Sequence, residues 1–98
     1  MLVAFSIAPA ATDPDGSVAA AVAEAVRIVR ASGLPSETNA MFTNVEGEWD
    51  EVMAVIKQAT DAVLAHADRV SLVIKADIRP GHTGQLTAKV QRVEDLLD

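Results

Sequence analysis

A chain of 98 residues carries about one domain, and half of its residues are hydrophobic while only Phe5, Phe42 and Trp49 are aromatic. Eight Lys and Arg against 14 Asp and Glu leave a net charge of −6, which repels phosphate backbones and anionic lipid and argues against nucleic-acid and membrane partners. The absence of cysteine excludes disulfides, thiolate metal sites and cysteine nucleophiles, and fits a reducing, cytoplasmic setting.

Residues 2–9 alternate bulky Val3, Phe5 and Ile7 with small Ala4, Ser6 and Ala8, the period of a strand with one face in a core. The apolar run stops at Ser6 and is too short for a secretion signal or a membrane span. Residues 10–16 have turn chemistry, after which Ser17 is placed to cap a helix carrying Val18, Val22, Val26 and Val29 and stopping at Gly33. Residues 36–47 read as a β-hairpin. A second helix is expected from near Glu48 to about Ala67, with Trp49, Val52, Met53, Ile56, Val63 and Leu64 on its inner stripe and Trp49 as either a core anchor or a stacking platform. Acidic Glu48, Asp50 and Glu51 crowd its first turn, where the helix dipole favours them.

Residues 70–78 form the last expected strand, Val70, Leu72, Ile74, Ala76 and Ile78 on one face and Ser71, Val73, Lys75, Asp77 and the following Arg79 on the other. Pro80-Gly81 breaks it, and a third helix is expected over roughly Gly84 to Leu97 with Leu86, Val90, Val93 and Leu97 as its stripe. No repeat or linker divides residues 1–98, which read as a single domain. The order β-α-β-β-α-β plus a final α predicts an α+β, ferredoxin-like sandwich: a four-stranded antiparallel sheet with two crossover helices on one face. A core of small side chains yields little transfer free energy, so association of subunits is a natural way to add burial.

Pleating sends Ala4, Ser6, Ala8, Val73, Lys75, Asp77 and Arg79 to the face away from the two crossover helices, joined by Asn44 and Glu46 if Val45 points inward. This shallow floor of small residues edged by polar groups suits a second sheet or a flat ligand. The third helix either covers part of it or docks on a neighbouring subunit.

Several segments carry a resemblance. They are the first strand ending in Ser6 and Pro9, the hairpin Met41-Phe42-Thr43-Asn44-Val45-Glu46-Gly47, the following Glu48-Trp49-Asp50-Glu51-Val52-Met53, Lys75-Ala76-Asp77-Ile78-Arg79, and Lys89-Val90-Gln91-Arg92-Val93-Glu94. Over nearly the whole chain the sequence resembles the thiamine-binding-protein-like family, and the block Glu46-Gly47-Glu48-Trp49-Asp50 is the most specific part. The resemblance implies a ferredoxin-like protomer, dimers or tetramers assembled through the sheets, and binding of thiamine or its hydroxymethylpyrimidine moiety without catalysis. The family pattern has Gly between the hairpin Met and Thr, where this chain has Phe42. The larger residue either reshapes the turn or lines a pocket.

Thiamine presents a cationic thiazolium and an aminopyrimidine with donor and acceptor nitrogens, so a carboxylate and a few amides or hydroxyls are the groups to seek. Glu46 is the leading carboxylate, with a cross-strand ion pair to Lys75 or Arg79 as its alternative role; Asp77 has the same two readings. Asn39 and Thr43 are either pyrimidine partners or turn residues. Ser6 supplies a ligand hydroxyl or permits close sheet packing, and Met41 walls a ring or packs on another subunit. His66 and His82 are far apart without a second ligand at helical spacing, so no metal or other cofactor is expected. Rival activities of the fold lack their residues. The loop after the first strand has no Arg to cradle an acylphosphatase-type anion, and the one aromatic on the central strands, Phe5, points inward rather than to a base. The competing reading is an oligomeric interaction module with no small ligand.

Overall fold

The computed structural model describes residues 1–10 and 18–97. The expected turn over 11–16 and the cap at Ser17 lie outside the described residues. In chain order the elements are β1 (Leu2–Pro9), α1 (Val18–Ala31), β2 (Ser36–Thr38), β3 (Thr43–Glu46), α2 (Trp49–Leu64), β4 (Val70–Asp77) and α3 (Gln85–Leu96). The strands lie in the order β2-β3-β1-β4, every neighbouring pair antiparallel, which is the ferredoxin-like sheet expected from the element order.

Register follows the alternation in β1. Val3 faces Val45 on one side and Ala76 on the other, and Phe5 faces Thr43 and Ile74. Directly opposed residues share a sheet face, so Val3, Phe5, Val45 and Thr43 point together toward α1 and α2 and are buried. They pack with Val29 of α1 and Val52, Val55 and Ile56 of α2. Burying each such Val or Ile contributes about 1.5–3 kcal/mol of transfer free energy. A second cluster of Ala21, Ala25, Ala59 and Val63 joins the two helices, where small side chains let the backbones approach closely.

Three details differ from the sequence expectation. The buried stripe of α1 runs through Ala21, Ala25 and Val29, with Val22 and Val26 only half-buried at its flank. Four-residue spacing fits either stripe, and bulk alone favours the wrong one. On α2 the core takes Val55 and Ala59, while Trp49 and Leu64, at the first and last positions, overhang the sheet and are exposed. The helix ends at Leu64 rather than near Ala67, in a tightened turn where the His66 N–H donates to Val63 O at 3.0 Å. The inward face of β4 has the expected parity, yet Leu72 and Ile74 remain 38% and 39% exposed, because β4 is the sheet edge and the helices centre on β1 and β3.

The opposite face of the sheet meets α3 at one end only. Leu2 on the central strand is flanked by Glu46 on β3 and Asp77 on β4, and both carboxylates hold α3. Gly84 precedes the helix with φ +67°, a conformation that suits glycine, and its turn brings the first amides of α3 onto Glu46. None of the residues of α3 is buried within this chain. Its apolar Val90, Val93, Leu96 and Leu97 face water.

Candidate ligand-binding site

The strands of the hairpin are shorter than β1, and that difference makes a cavity. β1 pairs with β4 from Leu2 to Pro9 but with β3 only from Leu2 to Phe5. From Ser6 onward its β3-facing side has no strand partner among the described residues. A cavity of about 190 Å³ occupies the gap, with Phe5, Ser6 and Ile7 along the exposed strand. Val22, Ala25 and Val26 of α1 form one wall, so the flank valines of that helix serve the cavity rather than the deep core. The hairpin from Thr38 to Thr43 forms the other.

The hairpin wall is rigid for a local reason. The Asn39 N–H donates to Phe42 O at 2.9 Å, and the Asn39 Oδ1 accepts from the N–H groups of Met41 and Phe42, both at 2.9 Å. This carboxamide closes the loop and still has its NH₂ donors to offer. Thr38 and Thr43 are cross-strand partners whose hydroxyls lie 3.3 Å apart and share one hydrogen bond, leaving further donor and acceptor capacity on the pair. Phe42, half-buried, lines the cavity, and Met41 stands 75% exposed at the tip. No charged side chain lines this cavity among the described residues.

Four of the residues singled out in the sequence (Ser6, Asn39, Met41 and Thr43) therefore surround one cavity. Glu46 and Asp77 lie at the other end of the sheet. Glu46 is buried, 7% exposed, and its Oε2 and Oε1 accept from the N–H groups of Gln85 and Leu86 at 2.9 and 3.1 Å. A carboxylate at a helix N-terminus is favoured both by the free amides and by the helix dipole. Asp77 is exposed and ion-paired with Lys89 of α3; the hydrogen bond and the charge of Lys89 hold its carboxyl below the usual carboxylate range. The alternative pairing of either carboxylate with Lys75 or Arg79 is not formed. Thr38, Val22 and Val26 went unnoticed in the sequence, where the usable signal was the brevity of the hairpin against an eight-residue first strand. Among the described residues no group of three His, Cys, Asp or Glu is arranged to hold a metal ion.

Comparison with known proteins extends the family resemblance. A UPF0045 protein of Mycobacterium bovis is 53% identical over 98 residues, spanning 99% of this chain and 94% of the relative. The crystal structure of a hypothetical protein from Methanocaldococcus jannaschii superposes with a TM-score of 0.83 at 31% identity, covering 96% of this chain and 95% of the other. A Thermotoga maritima protein assigned provisionally to thiamine biosynthesis or salvage superposes with a TM-score of 0.76 at 25% identity, over 93% and 97% of the two chains. The family model described as thiamine-binding protein matches residues 3–94, and the chain belongs to that family.

Proposed function

We propose that this protein is a non-catalytic receptor for the aminopyrimidine half of thiamine, bound in the cavity between β1, α1 and the hairpin. The observation that carries the reading is the convergence of Ser6, Asn39, Met41 and Thr43 on that one cavity, with Thr38 beside them. The chemistry selects which half of thiamine enters. A neutral, flat ring with donor and acceptor nitrogens matches the Thr38 and Thr43 hydroxyls, with Ser6 beside them, the Asn39 carboxamide and aromatic Phe5 and Phe42, whereas a thiazolium cation is best matched by a carboxylate. At about 190 Å³ the cavity suits a fragment rather than a drug-sized ligand, for which pockets of roughly 300 Å³ and more are usual. The described lining residues offer hydroxyl and carboxamide groups suited to hydrogen-bonding a small ring, and the reading is accordingly one of binding. In this reading Glu46 and Asp77 act through α3 on the far end of the sheet, and the working form is a cytoplasmic homo-oligomer. No described helix is long and apolar enough to cross a membrane.

Calorimetric titration with hydroxymethylpyrimidine, thiamine and N-methylated hydroxyethylthiazolium tests the proposal. The pyrimidine is expected to bind, the thiazolium not. Thr43→Val, nearly isosteric, should weaken the pyrimidine by about tenfold through one lost buried hydrogen bond. Absence of heat with both pyrimidine and thiamine would leave the second reading, an assembly module, which the exposed apolar residues of β4 and α3 favour.

A further inference from the structure

Trp49 is the only tryptophan of the chain, and at the first position of α2 it stands 54% exposed. A packed indole buries on the order of 150–250 Å², so leaving half of this one in water forgoes much of what a core position would contribute. It lines a cleft of about 330 Å³ whose opposite wall is the segment 78–83 after β4. The cleft shares no residue with the hairpin cavity. Segment 78–83 folds back on itself, the His82 N–H donating to Arg79 O at 3.2 Å with Gly81 at φ +81°, and so presents Arg79 and His82 to the cleft.

The charges around the cleft are mostly committed. Glu46 and Asp77 share a small recess with Arg79 and His82, but Glu46 is held by the amides of α3 and Asp77 by Lys89. Glu48, also on the cleft, sits at the N-cap of α2, where the positive end of the helix offsets its charge. Arg79 makes no ion pair and no side-chain hydrogen bond among the described residues. What remains on offer is an aromatic side chain beside an unpaired guanidinium, a group that pairs bidentately with carboxylates and phosphates. The volume lies within the roughly 300–1,000 Å³ of pockets that hold mononucleotide-sized ligands.

We propose that the Trp49 cleft is a second ligand site, taking a planar aromatic ring that bears a phosphate or carboxylate, with the ring on the indole and the oxyanion on Arg79. This site is independent of the pyrimidine reading, and Trp49 reports on it directly because the hairpin cavity contains no tryptophan. The test is calorimetry together with tryptophan fluorescence, using adenosine monophosphate, orotate and, as the probe without an anion, adenosine. At least one of the two anions should bind saturably and change the Trp49 emission, with adenosine about tenfold weaker. Arg79→Gln should weaken the anion by about tenfold and leave adenosine unchanged, and Trp49→Leu should weaken every probe. Binding of the nucleotide alone identifies a phosphate ligand, and binding of orotate alone a carboxylate. The proposal falls if neither anion binds at millimolar concentration, or if Arg79→Gln binds as the wild type does. It falls equally if Trp49 emission shifts to the blue on raising protein concentration without any probe, since the indole would then belong to a contact between copies.

Discussion

Glu46, the leading candidate carboxylate in the sequence, accepts hydrogen bonds from two backbone amides of α3 in the structure. Its place on the open face followed on the condition that Val45 points inward, and Val45 does so opposite Val3. What could not be read was that Gln85 and Leu86, 39 and 40 residues away, would bring their amides onto it. Glu46→Ala leaves both amides without an acceptor and should cost roughly 1.5–3 kcal/mol, the range for bonds to a charged group. In hydrogen exchange the first turn of α3 should lose protection, while calorimetry shows pyrimidine binding unchanged. Asp77, the second tether, gives a pH signature. Its folded-state pKa is lowered from an ordinary 3.8, so its contribution is present above that value and is lost as pH falls through the lowered one. Neutral and mildly acidic solutions should therefore leave the Asp77–Lys89 tether intact. In an NMR titration the Asp77 carboxyl should titrate at higher pH in Lys89→Gln than in the wild type; identical titrations would show that Lys89 does not hold it. Trp49 escaped the sequence reading for a different reason: periodicity assigns a residue to a helix face but does not say whether the sheet beneath extends that far.

At the scale of elements, the alternation in β1 and β4 fixed strand faces and the element order fixed the sheet, since pleat parity and right-handed crossovers leave little freedom. The inner face of α1 was harder to read. Val22 and Val26 outrank Ala21 and Ala25 in bulk, yet the alanines face α2 because the two helices lie close. That spacing in turn puts the valines on the cavity wall. Ala59, fully buried in the same seam, has no room for a larger side chain. Ala59→Leu should destabilise by about 1–3 kcal/mol through overpacking, read as a lower midpoint in urea denaturation. Because Ala25 belongs both to this seam and to the cavity, the same substitution should also weaken pyrimidine binding. An unchanged affinity would mean that the cavity does not depend on the helix spacing.

For the whole molecule most of the exposed large apolar side chains among the described residues lie on or just after β4 and α3. β4 is the sheet edge, eight residues long, and Val70 to Ile74 carry neither charge nor proline to discourage pairing with another strand. Val73 is half-exposed on one face of it, Leu72 and Ile74 on the other, and the apolar side of α3 stands in water nearby in the chain. A second copy offering the same edge would satisfy backbone donors and cover these side chains together, and such an antiparallel pairing is naturally two-fold symmetric. Sedimentation equilibrium should accordingly give a dimer or tetramer. Val73→Lys places a charge on the edge at a position that is not part of either core cluster, and should shift the distribution toward monomer while the far-ultraviolet circular dichroism of the protomer is retained. Should the wild type sediment as a single chain, or Val73→Lys assemble as the wild type does, the edge of β4 is not the surface that joins the subunits. If the wild type is a single chain, the hairpin cavity, which β4 does not line, has to bind its ligand within one protomer.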